Sequence, residues 1–268
     1  MKKYSQFAIP YIIWAVIMLL LPMLLVLFYS ITDSGNGILT FTFTLRHFKK
    51  FFTDPDFLIV LWKSIKIAIE TTVICLLIGY PIGYFMANSS DKVRNSLVLA
   101  ITIPTWINML VRTYAWIGIL ENVHLMYTEA AVIIGMVYNF IPFMILQINT
   151  SLCKMDHSLI DAASDLGANK TQTFLRVIFP LSLPGVVNGI ALVFLPAASA
   201  FFIPKLLGGG QYFLIGNVIE NQFITVGEWN FGSAISVIMA AVMMFLMYLV
   251  RKIDEKNSTV EDRKQVRV

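Results

Sequence analysis

With 57% of its 268 residues hydrophobic and only 13% charged, the chain does not read as a water-soluble globule, which carries about 25% charged residues. A soluble fold of this size has too little interior to hide so much apolar surface, and a mean hydropathy of +0.75 makes lipid the natural solvent for the excess. The net charge of +4 does not point to nucleic acid, because the bases lie between apolar runs and form no single patch.

In chain order, Lys2 and Lys3 precede an uncharged run from Tyr4 to Thr32. That run is too long for a signal-peptide core and has no small-residue cleavage site, so it predicts a first transmembrane helix, Phe7 to Tyr29, after a short cytoplasmic N-terminus at 1–6. A crossing helix needs about 20 mostly apolar residues. Five more stretches meet that test: Ile65 to Ala87, Ser96 to Leu120 with Arg112 inside it, Ala130 to Asn149, a span within the uncharged interval Val177 to Pro204, and Phe231 to Val250. Open backbone cannot satisfy its hydrogen bonds in lipid, so all six are expected to be helices. The expectation is an all-α membrane protein with one transmembrane domain over residues 7–250 and a basic tail at 251–268.

Lysine and arginine set the orientation. With the N-terminus inside, cytoplasmic segments hold Lys2, Lys3, Lys92, Arg94, Lys154, Lys170, Arg176 and the tail from Arg251 to Arg267. External segments hold Arg46, Lys49, Lys50 and Lys205, and the first three are offset locally by Asp33, Asp54 and Asp56. Both termini are therefore expected inside. Pro22, Pro81, Pro104, Pro142, Pro184 and Pro196 fall within the spans, where each removes a backbone donor and favours a kink. The segment Leu206 to Gln222 is too short and glycine-broken for a seventh span. It reads either as an external, partly re-entrant element turning at Gly208, Gly209 and Gly210, or as a plain surface loop. Cys75 and Cys153 show neither metal spacing nor a disulfide framework and read as small packed side chains. His47, His124 and His157 are scattered over loops on both sides in this topology, so no shared metal or catalytic site is expected.

The segment at 151–180, between the fourth and fifth spans, is the most informative. Ser158 is placed to cap a short helix carrying Asp161 in its first turn, where an acid suits the helix dipole. Leu159, Ala162, Ala163 and Leu166 share a face, and Gly167 ends the helix where a left-handed residue is favoured. A second amphipathic stretch from Thr171 turns Phe174, Val177 and Ile178 toward the membrane and is expected to stop at Pro180. The product is a small helix with small residues on one face, suited to another protein's groove.

At these residues the chain resembles the permease subunits of binding-protein-dependent ABC importers. Their cytoplasmic signature is Glu-Ala-Ala, three residues, Gly, nine residues, then Ile-x-Leu-Pro. Here Asp161-Ala162-Ala163, Gly167 and Val177-Ile178-Phe179-Pro180 keep the spacing, with Asp for Glu, Val for Ile and Phe for Leu. A finer resemblance covers nearly the whole chain. Ile103 to Trp116, Ala131 to Tyr138 with Pro142 and Phe143, Asp165 to Ala168, Leu207 to Gly210, Ile215 to Phe223 and Trp229 to Gly232 look like the B-type permease of spermidine/putrescine importers. The departure is the connection Glu121 to Thr128, shorter than the external segment usual between the third and fourth spans.

The resemblance implies a permease of a bacterial cytoplasmic membrane, paired with a C-type sister subunit. An extracellular or periplasmic binding protein would deliver a polyamine. Two copies of an ATPase subunit would grip a coupling helix carrying Asp161, Ala162, Ala163, Asp165, Leu166 and Gly167, with Pro180 closing the motif. The chain has no Gly-rich phosphate loop ending in Lys-Ser/Thr, so ATP and Mg are expected on the partner, with no cofactor, metal or catalytic residue here.

For the pathway, polar groups within the membrane are the default candidates because lipid makes them costly. Arg112, with Trp106, Asn108 and Tyr114, either pairs with an acid and fixes a gate or simply extends to the outer surface. Glu220, with Asn217 and Gln222, and Glu228 beside Trp229 are candidates to hold ammonium groups by charge and aromatic contact, the alternative being solvated loop positions. Glu70, four residues after Lys66, reads as half of a local ion pair. Rival readings are a permease for ferric ion, amino acid or opine, and an ATP-independent channel or secondary transporter. A membrane-embedded enzyme would need acid, base or metal groups clustered at one depth, and the sequence offers none.

Overall fold

The computed structural model describes residues 2–34, 41–156 and 158–265, with side-chain surroundings for 14–33, 41–156 and 158–252. Residues 35–40 of the first loop, His157, the end of the tail, and the side chains of Lys2 and Lys3 fall outside the described residues. The described chain forms α1 (Lys2–Ser30), β1 (Thr32–Ser34), β2 (Phe41–Phe43), α2 (Arg46–Thr53), α3 (Pro55–Ala87), α4 (Asp91–Thr102) and α5 (Met109–Asn122). There follow α6 (Glu129–Cys153), α7 (Ser158–Asp165), α8 (Lys170–Thr173), α9 (Phe179–Ala198), α10 (Phe202–Leu207), α11 (Ile215–Glu220) and α12 (Trp229–Gln265). It divides into two units, residues 1–60 with 218–243, and residues 61–217 with 244–268.

Four helical stretches are long and apolar enough to cross a membrane: Pro55–Ala87, Glu129–Cys153, Lys170–Ala198 and Trp229–Lys252. At 33 residues α3 is about 50 Å long, well over the ~30 Å hydrocarbon thickness. The expected third span is not one straight helix. It is α4 with a tight turn at Ile103–Trp106, then α5, bent by 93° at the break. Pro104 sits in that tight turn, and Asn108 restarts the helix by accepting the Leu110 amide at 2.8 Å. Counted as one span the pair makes a fifth, and the apolar stretch Trp14–Ser30 is a shorter helix. Pro81, Pro142, Pro184 and Pro196, by contrast, lie inside continuous helices.

The unit 1–60 with 218–243 departs from an all-helical reading. The first loop contains an antiparallel pair, Thr32 opposite Phe43 and Ser34 opposite Phe41, followed by the helix α2. Alternating phenylalanine and threonine at 41–43 suits a strand. The core of this unit is aromatic: Phe51 and Phe231 are fully buried, and Phe57 stacks on Phe51 at 5.8 Å and meets Phe231 edge-on at 5.1 Å. The Asn230 amide donates to the carbonyls of Tyr29 (3.1 Å) and Thr32 (2.6 Å), tying the start of α12 to the end of α1.

The unit 61–217 with 244–268 is built on α6 against α9. Small residues bring the backbones together: a Cβ on Gly185 would lie 2.4 Å from the Ser151 Cβ and 2.9 Å from the Gln147 carbonyl. The Tyr80 and Ser182 hydroxyls, 2.9 Å apart, join α3 to α9. The segment 201–217 is no plain loop. The helices α10 and α11 flank a reversal at Gly209 and Gly210, both with positive φ, and the Ile215 amide donates to the buried Ser64 hydroxyl at 2.7 Å.

Candidate functional site

The segment between α6 and α9 folds almost entirely from local signals. The Asp156 carboxylate accepts the Ser158 amide at 2.9 Å, so Asp156 rather than Ser158 supplies the capping side chain. The helix α7 carries Asp161 in its first turn and buries no residue. At its end Gly167 adopts φ +79°, its amide reaches the Ser164 carbonyl at 2.9 Å, and the Ala168 amide reaches the Ala163 carbonyl at 3.0 Å. These are the paired bonds of a left-handed C-terminal cap. Leu159, Ala162, Asp165 and Leu166 are exposed; Leu166, at 89%, is an apolar side chain with almost no covering from its own chain.

Asn169 then opens a second helix with a reciprocal cap, its side chain accepting the Gln172 amide at 2.9 Å while the Gln172 side chain accepts the Asn169 amide at 3.0 Å. The expected stop at Pro180 does not occur. A wide π-turn spans Phe174–Ile178 and runs into α9 without a break, so Pro180 lies inside one continuous helix, just where the widened turn accommodates its missing amide. Phe174 meets Tyr80 at 5.9 Å and Tyr84 at 5.7 Å, and Ile178 is buried, so this stretch does turn its apolar face inward. A cavity of about 310 Å³ lies between the end of α6 and the start of α7, bordered by Lys154, Asp156, Leu159 and Leu181.

The polar candidates have separate fates. Trp106 and Tyr114 stand exposed on either side of the break, while Asn108 is occupied as a cap. Arg112 is half-buried beside the Tyr138 ring at 5.9 Å, and its Nε is buried without a hydrogen-bond partner among the described residues. Asn217 is buried and holds the fold: it accepts the Leu214 amide at 3.2 Å and donates to the Phe201 carbonyl at 2.8 Å. Gln222 carries a buried Oε1 with no hydrogen-bond partner among the described residues, in the π-turn Asn221–Val226, and Glu220, half-buried, immediately precedes that turn. Glu228 pairs with Lys50 at 3.6 Å, and the Lys50 ammonium also lies 4.2 Å from the Phe231 ring centre.

One cluster escaped the sequence. The Lys66–Glu70 pair forms at 3.6 Å, but the shorter contact of Lys66 is to Glu129 on α6, at 2.6 Å. No spacing rule joins residues 63 positions apart. The available signal was an acid in the first turn of α6 and a lysine in the first half of α3.

The short connection at 121–128 is held firmly. His124 and Tyr127 adopt φ +57° and +63°, the Tyr127 amide donates to the Leu207 carbonyl at 2.9 Å, and the Tyr127 ring lies where a Cβ on Gly209 would be, 2.0 Å from it.

Comparison with known proteins fits this geometry. The sequence profile of the binding-protein-dependent transport system inner membrane component family matches residues 79–257. The spermidine/putrescine transport system permease protein PotB of Salmonella typhimurium is 36% identical over 288 residues, covering 98% of this chain and all of the relative. The PotB of Escherichia coli K12 is 38% identical over 255 residues, covering 88% and 92%. Among solved structures, a chain of a bacterial ABC transporter that imports the acidic polysaccharide alginate superimposes with a TM-score of 0.67 at 16% identity, over 95% of this chain and 96% of that one. A chain of the inward-facing MetNI methionine ABC transporter gives 0.59 at 16% identity, over 74% and 93%.

Proposed function

The chain belongs to the binding-protein-dependent transport system inner membrane components, multi-pass proteins of bacterial membranes, and from that premise we propose that it is the permease subunit of an ATP-driven polyamine importer. The observation that carries the ATP-driven part is α7. It is a capped helix with no buried residue, ended by Gly167, with Leu166 bare at its tip. Leu166 with the two alanines gives this free-standing helix a small apolar face that a groove of a partner would cover.

In this reading α7 is the coupling helix and two copies of an ATPase subunit grip it and its counterpart on a sister permease. Closure of the ATPases moves the two coupling helices together and switches the pathway between inward- and outward-facing states. ATP and Mg act on the ATPase. In this reading α1 and the bent α4–α5 pair each count as one of six crossings, which sets both termini and α7 on one side, and the lysine and arginine excess of those segments makes that side the cytoplasm. The connection at 121–128 and the segment 201–217 then face outward, where a binding protein delivers cargo. Polyamines are the cargo because the two PotB relatives align over most of the chain. The alignment with the Salmonella protein runs over 288 residues against 268 here, and we place the missing residues in the 121–128 connection.

The deciding experiment reconstitutes the chain with its ATPase, sister permease and binding protein, then measures ATP-dependent uptake of labelled spermidine and putrescine. ATP-dependent uptake of either is expected. Uptake of ferric ion, an amino acid or an opine instead would reassign the cargo, and transport without the ATPase would sink the coupling reading.

A further inference from the structure

Lys66 and Glu129 border a cavity of about 210 Å³ together with Lys63, Tyr212 and Phe213, and Lys66 also pairs with Glu70. The Lys66 ammonium lies 2.6 Å from the Glu129 carboxylate on α6 and 3.6 Å from that of Glu70, one turn further along α3. The other oxygen of Glu70 is buried and has no hydrogen-bond partner among the described residues. A buried carboxylate oxygen without a donor is uncommon and costly, so this arrangement has an acceptor in reserve.

A lysine side chain ends in a primary ammonium on a methylene chain, the same chemistry as either end of an aliphatic diamine. The place Lys66 occupies is therefore already a seat for an alkylammonium group, with a carboxylate and aromatic rings beside it. We propose that Glu129 is an ammonium seat on the outer part of the pathway and that Lys66 fills it until a cargo amine takes its place. This rests on the polyamine reading above. The exchange leaves no charge unpaired. As the cargo ammonium takes Glu129, Lys66 closes on Glu70, already 3.6 Å away, and its flexible four-carbon stem permits the move. Each carboxylate then has an ammonium of its own, while α3 and α6 lose their direct bridge.

The test is uptake kinetics of labelled putrescine and spermidine by the intact importer, with rates normalised to the amount of permease in the membrane. Lys66→Met removes the internal competitor and should lower KM severalfold. Glu129→Gln removes the seat and should raise KM about tenfold, the size of one lost charge-assisted contact. Glu70→Gln removes the fallback for Lys66 and should raise KM less. A purely structural ion pair predicts otherwise: Lys66→Met and Glu129→Gln would then change KM, or membrane abundance, in the same direction, and that result overturns the seat. Unchanged KM in all three variants also overturns it and leaves the cargo reading standing. If the unmodified importer takes up neither polyamine, the cargo reading itself fails.

Discussion

The segment between α6 and α9 and the connection between α5 and α6 differ in where their structure is specified. In the first, the cap bonds that shape the chain among the described residues join positions at most five apart: Asp156 to Ser158, Ala163 to Ala168, Asn169 to Gln172. In the second, His124 closes α5 with a local pair of cap bonds, but Tyr127 adopts left-handed backbone and is held by Leu207 and Gly209, some eighty positions away. Locally specified structure can stand free and be offered to a partner. Structure specified at a distance belongs to the body of the protein and moves only with it.

Substitutions sharpen that contrast. The largest effect is expected at the tip of α7. Gly167→Arg, at φ +79° with open space around it, or Ala163→Asp on the helix, should abolish polyamine uptake while the permease still inserts and the ATPases still hydrolyse ATP. Normal uptake by both variants would break the assignment of α7 as the coupling element. Gly209→Val should act in the opposite manner, through the body. Its first carbon would collide with the Tyr127 ring, and overpacking of this kind costs about 1–3 kcal/mol, read as a lowered melting temperature of the purified complex. Asn169→Ala removes one half of the reciprocal cap and should cost about 1 kcal/mol, felt as slower uptake per permease with little change in melting. His124→Gly should change stability by no more than about 1 kcal/mol, because relief of the left-handed backbone offsets the greater freedom of glycine when unfolded. A larger loss would show that the His124 side chain, and not the backbone path, holds the connection.

The same contrast explains what the sequence could reveal. The long apolar helices α3, α6 and α9 follow from hydrophobic run length, and α7 with Gly167 follows from spacing and cap chemistry. The break at Ile107 and Asn108 was harder to read. Arg112 marked the stretch as unusual, but hydropathy cannot distinguish a straight helix from two at 93°. Pro180 does not stop the helix because the π-turn before it takes up the missing amide, a local adjustment that composition does not reveal. The antiparallel pair of Thr32–Ser34 with Phe41–Phe43 is too short and mixed in composition to score as strands. Of the candidate polar residues, Asn217 and Asn108 proved to be structural fasteners, and Glu129 entered only once α3 and α6 were seen side by side.

The π-turn at Phe174–Ile178 has a consequence for how motion is passed along the chain. It holds one residue more per bonded turn than the α-helix that follows, so it takes up an extra residue without turning α8 out of phase with α9. Each residue of an α-helix turns the chain by about 100°. Deleting one residue from Phe174–Ile178 would let it close as ordinary helix with the phase nearly kept, whereas deleting one from the ordinary turns of α9 would rotate everything before it by about 100°. The direction in which α7 faces is thus buffered at Phe174–Ile178 and set in whole-residue steps elsewhere along the helix.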